Sequence, residues 1–337
     1  MKVTIKDIAK EAGVSIGAVS LVLNGKKCRV SQETKDRIFE VAKRNNYVVN
    51  QAARSLVTKE SKILGLIIPD IENLFFSKLA KELEILCRSF GYFLIVVNSD
   101  DKLESELNLI RLLESRNIDG LFIVVSNESY AQQEAMENTL SSLTIPFIMI
   151  DRTYSDFNCN KVYFDDRLGV SMAIHNLYEN GHRKIACIAG GDDNTQKSTR
   201  LESYYDVMKE LNCEVKDNYV FQGDYRFESG YLAGKYFQDC DITGIFICND
   251  MMSLGYMKYL DESNSKIPDK ISIISYDNVF YPLISGIKIT SIEQNVKELV
   301  QNAMEVLVSN IANKDNEKQE ICLKPLLIKQ DSVKKIL

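Results

Sequence analysis

From residue 62 onward the chain alternates between two periodicities, and that alternation restricts its fold more than any other feature. Apolar runs of four to six residues, "ILGLII", "FLIVV", "LFIVV" and "PFIMI", are separated by amphipathic stretches at 74–90, 102–116 and 129–141. Runs this continuous suit strands buried on both faces of a mostly parallel sheet, and the stretches between them suit its crossover helices. A second series follows, "KIACIAG", "NYVFQG", "GIFICND" and "ISIISYDN", with helical patterns near 166–180, 198–211, 226–237 and 250–260. Two such series imply two doubly wound lobes with a crevice where strand ends meet. The last amphipathic stretch, about 293–311, then has to return across the lobes. This places the first lobe at about 62–160 plus 292–320 and the second at about 161–291 plus 321–330. A chain of 337 residues exceeds one ordinary core and leaves room for a smaller module in front.

That module carries the opposite charge. Residues 1–60 hold 8 Lys and 4 Arg against 6 Asp/Glu, a net +6 in a chain whose total is −6. A basic head on an acidic body points the head toward a polyanion. Three short helical patterns occupy the head. Thr4 and Asp7 have the spacing of a capping box before a face of Ile5, Ile8 and Ala9. Ser15 caps a second helix whose inner face is Ala18, Val19, Val22 and Leu23, and Ser31 caps a third with Ile38, Val41 and Ala42 inward. Gly13 suits a left-handed turn residue between the first two, so Ala9, Gly13 and Val19 fit a tight helix-turn-helix over 1–48.

Several functions are excluded by what the chain contains. Its purely apolar runs reach about five residues, against roughly 20 needed to span a bilayer, and its N-terminal stretch has no secretory signal pattern, so a cytoplasmic location without membrane partners is expected. Eight cysteines lie scattered without a CxxC pair, several inside apolar runs, and read as buried thiols. Only His175 and His182 are present, without metal-ligand spacing, so no metal or cofactor is expected. No GxSxG, P-loop or GxGxxG occurs, which argues against an enzyme.

The ordered segments "TIKDIAKEAGVSIGAVSLVLNG", "RVSQETKDRIFEVAKRNNY", "NQAARSL", "ILGLIIPDIENLFF", "NIDGLFIV", "NGHRKIACIAG", "CNDMMSLG" and "ISIISYDN" resemble the lactose-repressor/galactose-repressor family of bacterial transcription regulators. The resemblance implies a DNA-binding head, a hinge helix within 49–61, and a two-lobed body related to periplasmic sugar-binding proteins, all in a homodimer on a palindromic operator. Base contacts come from positions matching Ile16, Gly17 and Leu21; the last is very often Arg in the family and is Leu here. Phosphate or backbone contacts are expected from Thr4, Ser15, Ser20, Asn24, Lys26, Lys27 and Arg29. In the hinge, Leu56 matches a minor-groove wedge, flanked by Asn50, Ala53 and Arg54, while Val49 stands where the family usually has Pro.

For the crevice, the expected effector-binding residues are Phe75, Phe76, Asp151, Arg152, Arg200, Tyr225, Asn249 and Asp277, with Asp250 favoured as a helix cap. The resemblance implies a sugar or sugar derivative as the ligand, and the residue types accord with it, since carboxylates suit ring hydroxyls and guanidinium groups fork onto oxygens. Ser203 replaces the glycine that follows the family's arginine at Arg200. Tyr225 resembles a position that stacks on purine in one branch, which keeps a nucleobase-sensing regulator in contention. The other alternative is a small-molecule-binding protein of transport or sensor type with a degenerate head.

Overall fold

The computed structural model describes residues 3–25, 27–47, 60–191, 199–279, 286–313 and 317–336. They divide into two compact units, Met1–Ser61 and Lys62–Leu337.

In the smaller unit, helices α1 (Ile5–Ala12), α2 (Ile16–Leu23) and α3 (Gln32–Arg44) enclose a core of Ile8, Ala9, Ala12, Val19, Val22, Ile38, Val41 and Ala42. Each helix starts where a short polar side chain can satisfy orphan backbone N–H groups. The Asp7 carboxylate accepts the Thr4 N–H at 2.9 Å and the Thr4 hydroxyl at 2.7 Å. Ser15 Oγ accepts from the Ala18 N–H, and Ser31 Oγ from the Thr34 N–H. Such caps each contribute about 1 kcal/mol. Gly13 closes α1 at φ 68°, the left-handed turn that glycine adopts without cost. Glu11 ties α1 to the end of α3 through Arg44 and Asn45.

In the larger unit the described strands form two sheets. The first runs β11 (Glu320–Leu323), β5 (Lys161–Phe164), β4 (Phe147–Ile150), β3 (Gly120–Ile123), β1 (Ile63–Ile68), β2 (Phe93–Asn98), with parallel pairing throughout. Helices α4 (Leu74–Ser89) and α12 (Val296–Ala312) cover one face, where Leu79, Leu83, Leu299 and Leu307 pack on Leu64, Leu66 and Phe122. Helices α5 (Leu103–Ser115) and α7 (Gln133–Ser141) cover the other, packing on Ile67, Leu121 and Met149. The second sheet runs β12 (Leu326–Ile328), β10 (Thr290–Glu293), β9 (Ser272–Asp277), β8 (Gly244–Ile247), β6 (Ile185–Ala189), β7 (Val220–Gln222), parallel except for β10 with β12. Around it lie α8 (Asp166–Glu179), α9 (Thr199–Glu210), α10 (Phe227–Phe237) and α11 (Asp250–Glu262). The last two pack so closely that a Cβ on Gly255 would run into the Phe227 carbonyl oxygen and come within 2.6 Å of the Tyr231 amide.

The lobe boundaries move from those read in the sequence. β5 and β11 pair with each other in the first sheet, while β10 lies in the second, so the chain changes lobe after Phe164, after Glu293 and after Leu323. These strands are short and lack a continuous apolar run, which is why all three crossings were placed a few residues too early. The amphipathic stretch at 129–141 is two helices, α6 (Asn127–Ala131) and α7, broken at Gln132 with φ −135°. The start of α6 is fixed by its neighbours: Ser126 donates its N–H and hydroxyl to the buried Glu106 carboxylate, and Asn127 donates its N–H to Asp101. Among the described residues no helix is long and apolar enough to cross a membrane, and no His/Cys/Asp/Glu cluster could hold a metal.

Candidate functional site

Two surfaces gather the residues singled out from the sequence, one in each unit. In the head, α2 exposes Ile16 (45%), Gly17 and Leu21 (39%), while Val19 and Val22 face the core. Ser15 is spent on its cap. Ser20 and Asn24 are joined, the Asn24 Nδ2 donating to the Ser20 carbonyl at 2.7 Å and to Ser20 Oγ at 3.4 Å. Thr4 is engaged with Asp7, and Lys27 and Arg29 are exposed. Lys26, Asn50, Ala53, Arg54 and Leu56 lie outside the described residues.

In the body, the carboxyl ends of the strands bring the crevice residues together, as an open parallel sheet requires. Asp151 follows β4 at φ 64°, and Asp277 ends β9 at φ 94°. Both adopt the left-handed region, which costs a non-glycine residue of order 1 kcal/mol and is concentrated at functional sites. Arg200, on the first turn of α9, is the hub of the second lobe. Its Nε donates to Asp166 Oδ1 at 3.0 Å, its Nη1 donates to the Cys248 carbonyl at 2.6 Å, and Asp277 Oδ1 stands 3.6 Å from that nitrogen. The guanidinium lies over the Tyr276 ring at 3.7 Å, and Tyr276 in turn donates to Asp166 at 2.9 Å.

Burial pushes the Asp151 carboxyl up to about 7 and the Asp277 carboxyl up to about 6. Arg200 opposes the rise at both, but two carboxylates and Asp166 share its one charge. Among the described residues the Asp151 carboxylate takes no hydrogen bond. The site is therefore rich in acceptors and short of donors.

Arg152 spans the crevice. Its Nη1 donates to Asp101 Oδ1 at 2.9 Å, and its guanidinium lies 5.3 Å from the Phe76 ring centre of the first lobe and 5.4 Å from the Tyr225 ring centre of the second. Tyr225, at φ 67°, rests on Gly190, where a Cβ would collide with its ring. Beside it Arg226 stands 3.9 Å from Asp70 of the first lobe.

Three expectations change on the structure. Phe75 and Phe76 are both buried in the first-lobe core, edge to face at 5.5 Å, so Phe75 is core and only the Phe76 ring lies under a crevice group. Asn249 is 2% exposed with both ends of its amide used, Oδ1 accepting the Met252 N–H and Nδ2 donating to the Tyr225 carbonyl. It is the helix cap and the anchor of Tyr225, and no amide is left over for a ligand. Asp250, expected as that cap, instead accepts from Ser275 and from the Val279 N–H and holds the end of β9. Sequence reasoning missed Asp101, Asp166 and Tyr276. Asp101 follows an apolar run, so the rule that located Asp151 would have found it; Asp166 follows β5, a strand that periodicity did not show. A cavity of about 390 Å³ lined by Leu143, Pro146, Phe147, Phe157, Cys159 and Lys318 lies at the other end of the first sheet, away from these charges.

A basic helix-turn-helix unit and a two-lobed body with a charged crevice define a DNA-binding regulator with a small-molecule sensor. Residues 4–50 match the family described as bacterial regulatory proteins, lacI family, and residues 174–333 match the periplasmic binding protein-like domain. The chain is 30% identical over 335 residues to the HTH-type transcriptional repressor PurR of Vibrio campbellii, covering 99% of both chains. It is 32% identical over 339 residues to PurR of Histophilus somni, covering 98% of this chain and 99% of that one. Among solved structures it is similar to a lac repressor dimer bound to operator and an anti-inducer (TM-score 0.86, 22% identity, 99% and 100% coverage). It is also similar to a LacI family regulator from Enterococcus faecium with bound ribose (TM-score 0.71, 27% identity, 82% and 100% coverage). The chain belongs to the lacI family of bacterial regulatory proteins, and it is a transcriptional regulator and not an enzyme.

Proposed function

We propose that this regulator is a cytoplasmic homodimeric repressor that binds a palindromic operator and changes its affinity when a sugar or related hydroxyl-rich metabolite occupies the crevice. The observation that carries the effector class is the pair Asp151 and Asp277, two enclosed carboxyls with raised pKa values facing the crevice around Arg200. A ligand that donates hydrogen bonds to them relieves their charge and recovers the cost of their burial. The lacI-family regulator of known structure whose bound ligand is ribose supports the same class. The operator half of the reading assigns base contacts to Ile16, Gly17 and Leu21, phosphate contacts to Lys26, Lys27 and Arg29, and minor-groove bending to Leu56 with Asn50, Ala53 and Arg54. Effector binding would favour one relative pose of the lobes and so order or melt the hinge.

A second reading has a specific observation behind it. Phe76 and Tyr225 face a flat cation from opposite lobes, and a planar nucleobase has the shape and polarisability to replace the Arg152 guanidinium between them. The relatives named PurR accord with it. Isothermal calorimetry of the full chain against pentoses, hexoses and free nucleobases, followed by operator titration with each binder, separates the two. Binding of sugars alone supports the first reading, binding of nucleobases alone replaces it with the second, and binding of neither removes both.

A further inference from the structure

The two large side chains that α2 exposes, Ile16 and Leu21, carry no hydrogen-bonding group. Ile16 and Leu21 stand out from the helix, and a Cβ placed on Gly17 would meet nothing nearer than Ser15 Oγ at 3.9 Å, so the backbone there is open to close approach. The polar neighbours are tied into the helix, Ser15 Oγ accepting the Ala18 N–H and Asn24 Nδ2 donating to the Ser20 carbonyl. The helix carries no charge in its first or last turn. Exposed Lys27 and Arg29 follow it, in a segment of net charge +6. An apolar face bordered by cations complements a polyanion that presents apolar groups between its phosphates, which describes the major groove of duplex DNA.

Only one apolar group projects into that groove from the base pairs, the C5 methyl of thymine. Cytosine methylated at C5 places the same methyl on the same ring position and differs from thymine at C4, where an N4 donor replaces the O4 acceptor. A guanidinium or amide distinguishes the two pyrimidines through that C4 group. Two aliphatic side chains have nothing with which to do so. We propose that α2 reads the pyrimidine C5 methyl itself, so that 5-methylcytosine substitutes for thymine at the positions facing Ile16 and Leu21, and operator affinity responds to cytosine methylation. This rests on the reading of the head as an operator binder.

The size of the effect follows from the area of a methyl. Removing one buried methyl contact weakens binding about fourfold, and removing the symmetry-related pair in a palindrome about 15-fold. The experiment begins with selection of an operator for the full chain from random duplexes. Each thymine is then replaced in turn by deoxyuridine, which lacks only the methyl, by cytosine, and by 5-methylcytosine, the last two paired with guanine. The expected result is a position or two at which deoxyuridine costs about fourfold per half-site and 5-methylcytosine binds at least fourfold more tightly than cytosine. Both differences should flatten in Ile16→Ala or Leu21→Ala, whose exposed side chains are not part of the head core. Specific operator binding that is indifferent to deoxyuridine and to 5-methylcytosine, or weakened by the added methyl, overturns the inference and leaves the operator reading intact. Selection that yields no sequence overturns the operator reading and the inference with it.

Discussion

Replacing Arg200 by Met tests whether this one cation holds the crevice together. Met keeps the unbranched stem and much of the volume of the side chain but removes two donated hydrogen bonds, to Asp166 at 3.0 Å and to the Cys248 carbonyl at 2.6 Å, and the charge 3.6 Å from Asp277. Breaking a buried pair by removing one partner costs about 3–5 kcal/mol. The Asp166 side chain is 28% exposed and keeps its bond from Tyr276, which places the loss at the lower end, about 3 kcal/mol. For a body of this size that is a fall in Tm of about 6 °C. The pH dependence is the sharper test. Asp277 at about 6 and Asp151 at about 7 already lie above the ordinary 3.8, so the folded chain holds protons that the unfolded chain releases. Stability therefore falls as pH rises from about 4 through these values. Arg200 is the largest influence lowering both, so without it both rise further and the fall steepens. Scanning calorimetry at about pH 5.5 and about pH 8 should show a Tm deficit at both, from the lost Asp166 and Cys248 bonds, that is larger at the higher pH, where Asp151 and Asp277 are ionised. An equal deficit at both, or less than about 2 °C at pH 8, would refute the reasoning.

Asp277→Asn removes a charged acceptor and should weaken effector binding about 10–100-fold in calorimetry, with operator binding in the absence of effector unchanged; retained effector affinity contradicts the assignment. In the unaltered chain, effector affinity should drop as pH is lowered from about 8 to about 5.5, because Asp151 at about 7 and Asp277 at about 6 become protonated and turn from charged acceptors into weaker neutral ones; a flat profile would show that the ligand does not use them. Gly255→Ala drives a methyl into the backbone of α10 and should destabilise the second lobe by about 1–3 kcal/mol in thermal unfolding, and an unchanged Tm would mean that α10 and α11 can part without cost.

The elements legible in the sequence were those whose environment is uniform along their length. β1, β3, β4, β6, β8 and β9 are buried on both faces and therefore read as unbroken apolar runs, and the long helices between them show one apolar stripe. β5, β10, β11 and β12 did not show. Lys161 sits inside β5, buried by donating to the Tyr154 and Ser155 carbonyls, and Glu320 begins β11. Such strands exist because their partners do, and those partners lie more than a hundred residues away in the case of β5 and β11. The head was legible because caps and a left-handed glycine are local devices. In the crevice, Asp151, Arg200 and Asp277 could be placed at strand ends and by resemblance, and the structure groups them. What spacing could not tell was whether a side chain there has a free end. Phe75 and Phe76 follow a strand as a ligand wall would, yet both rings are buried and only that of Phe76 lies under a crevice group; Asn249 sits where a ligand amide would, yet spends both ends on the protein.

The third crossing, after Leu323, gives the molecule a timetable. Residues 320–323 supply an edge strand to the first sheet and residues 326–328 one to the second, so neither lobe can be completed until this stretch has been synthesised. The core of the head closes at Ala42. At ribosomal rates of about 5–20 residues per second, the head is finished about 15–60 s before the sensor. A message truncated after α12 would yield a folded head joined to two lobes, each lacking an edge.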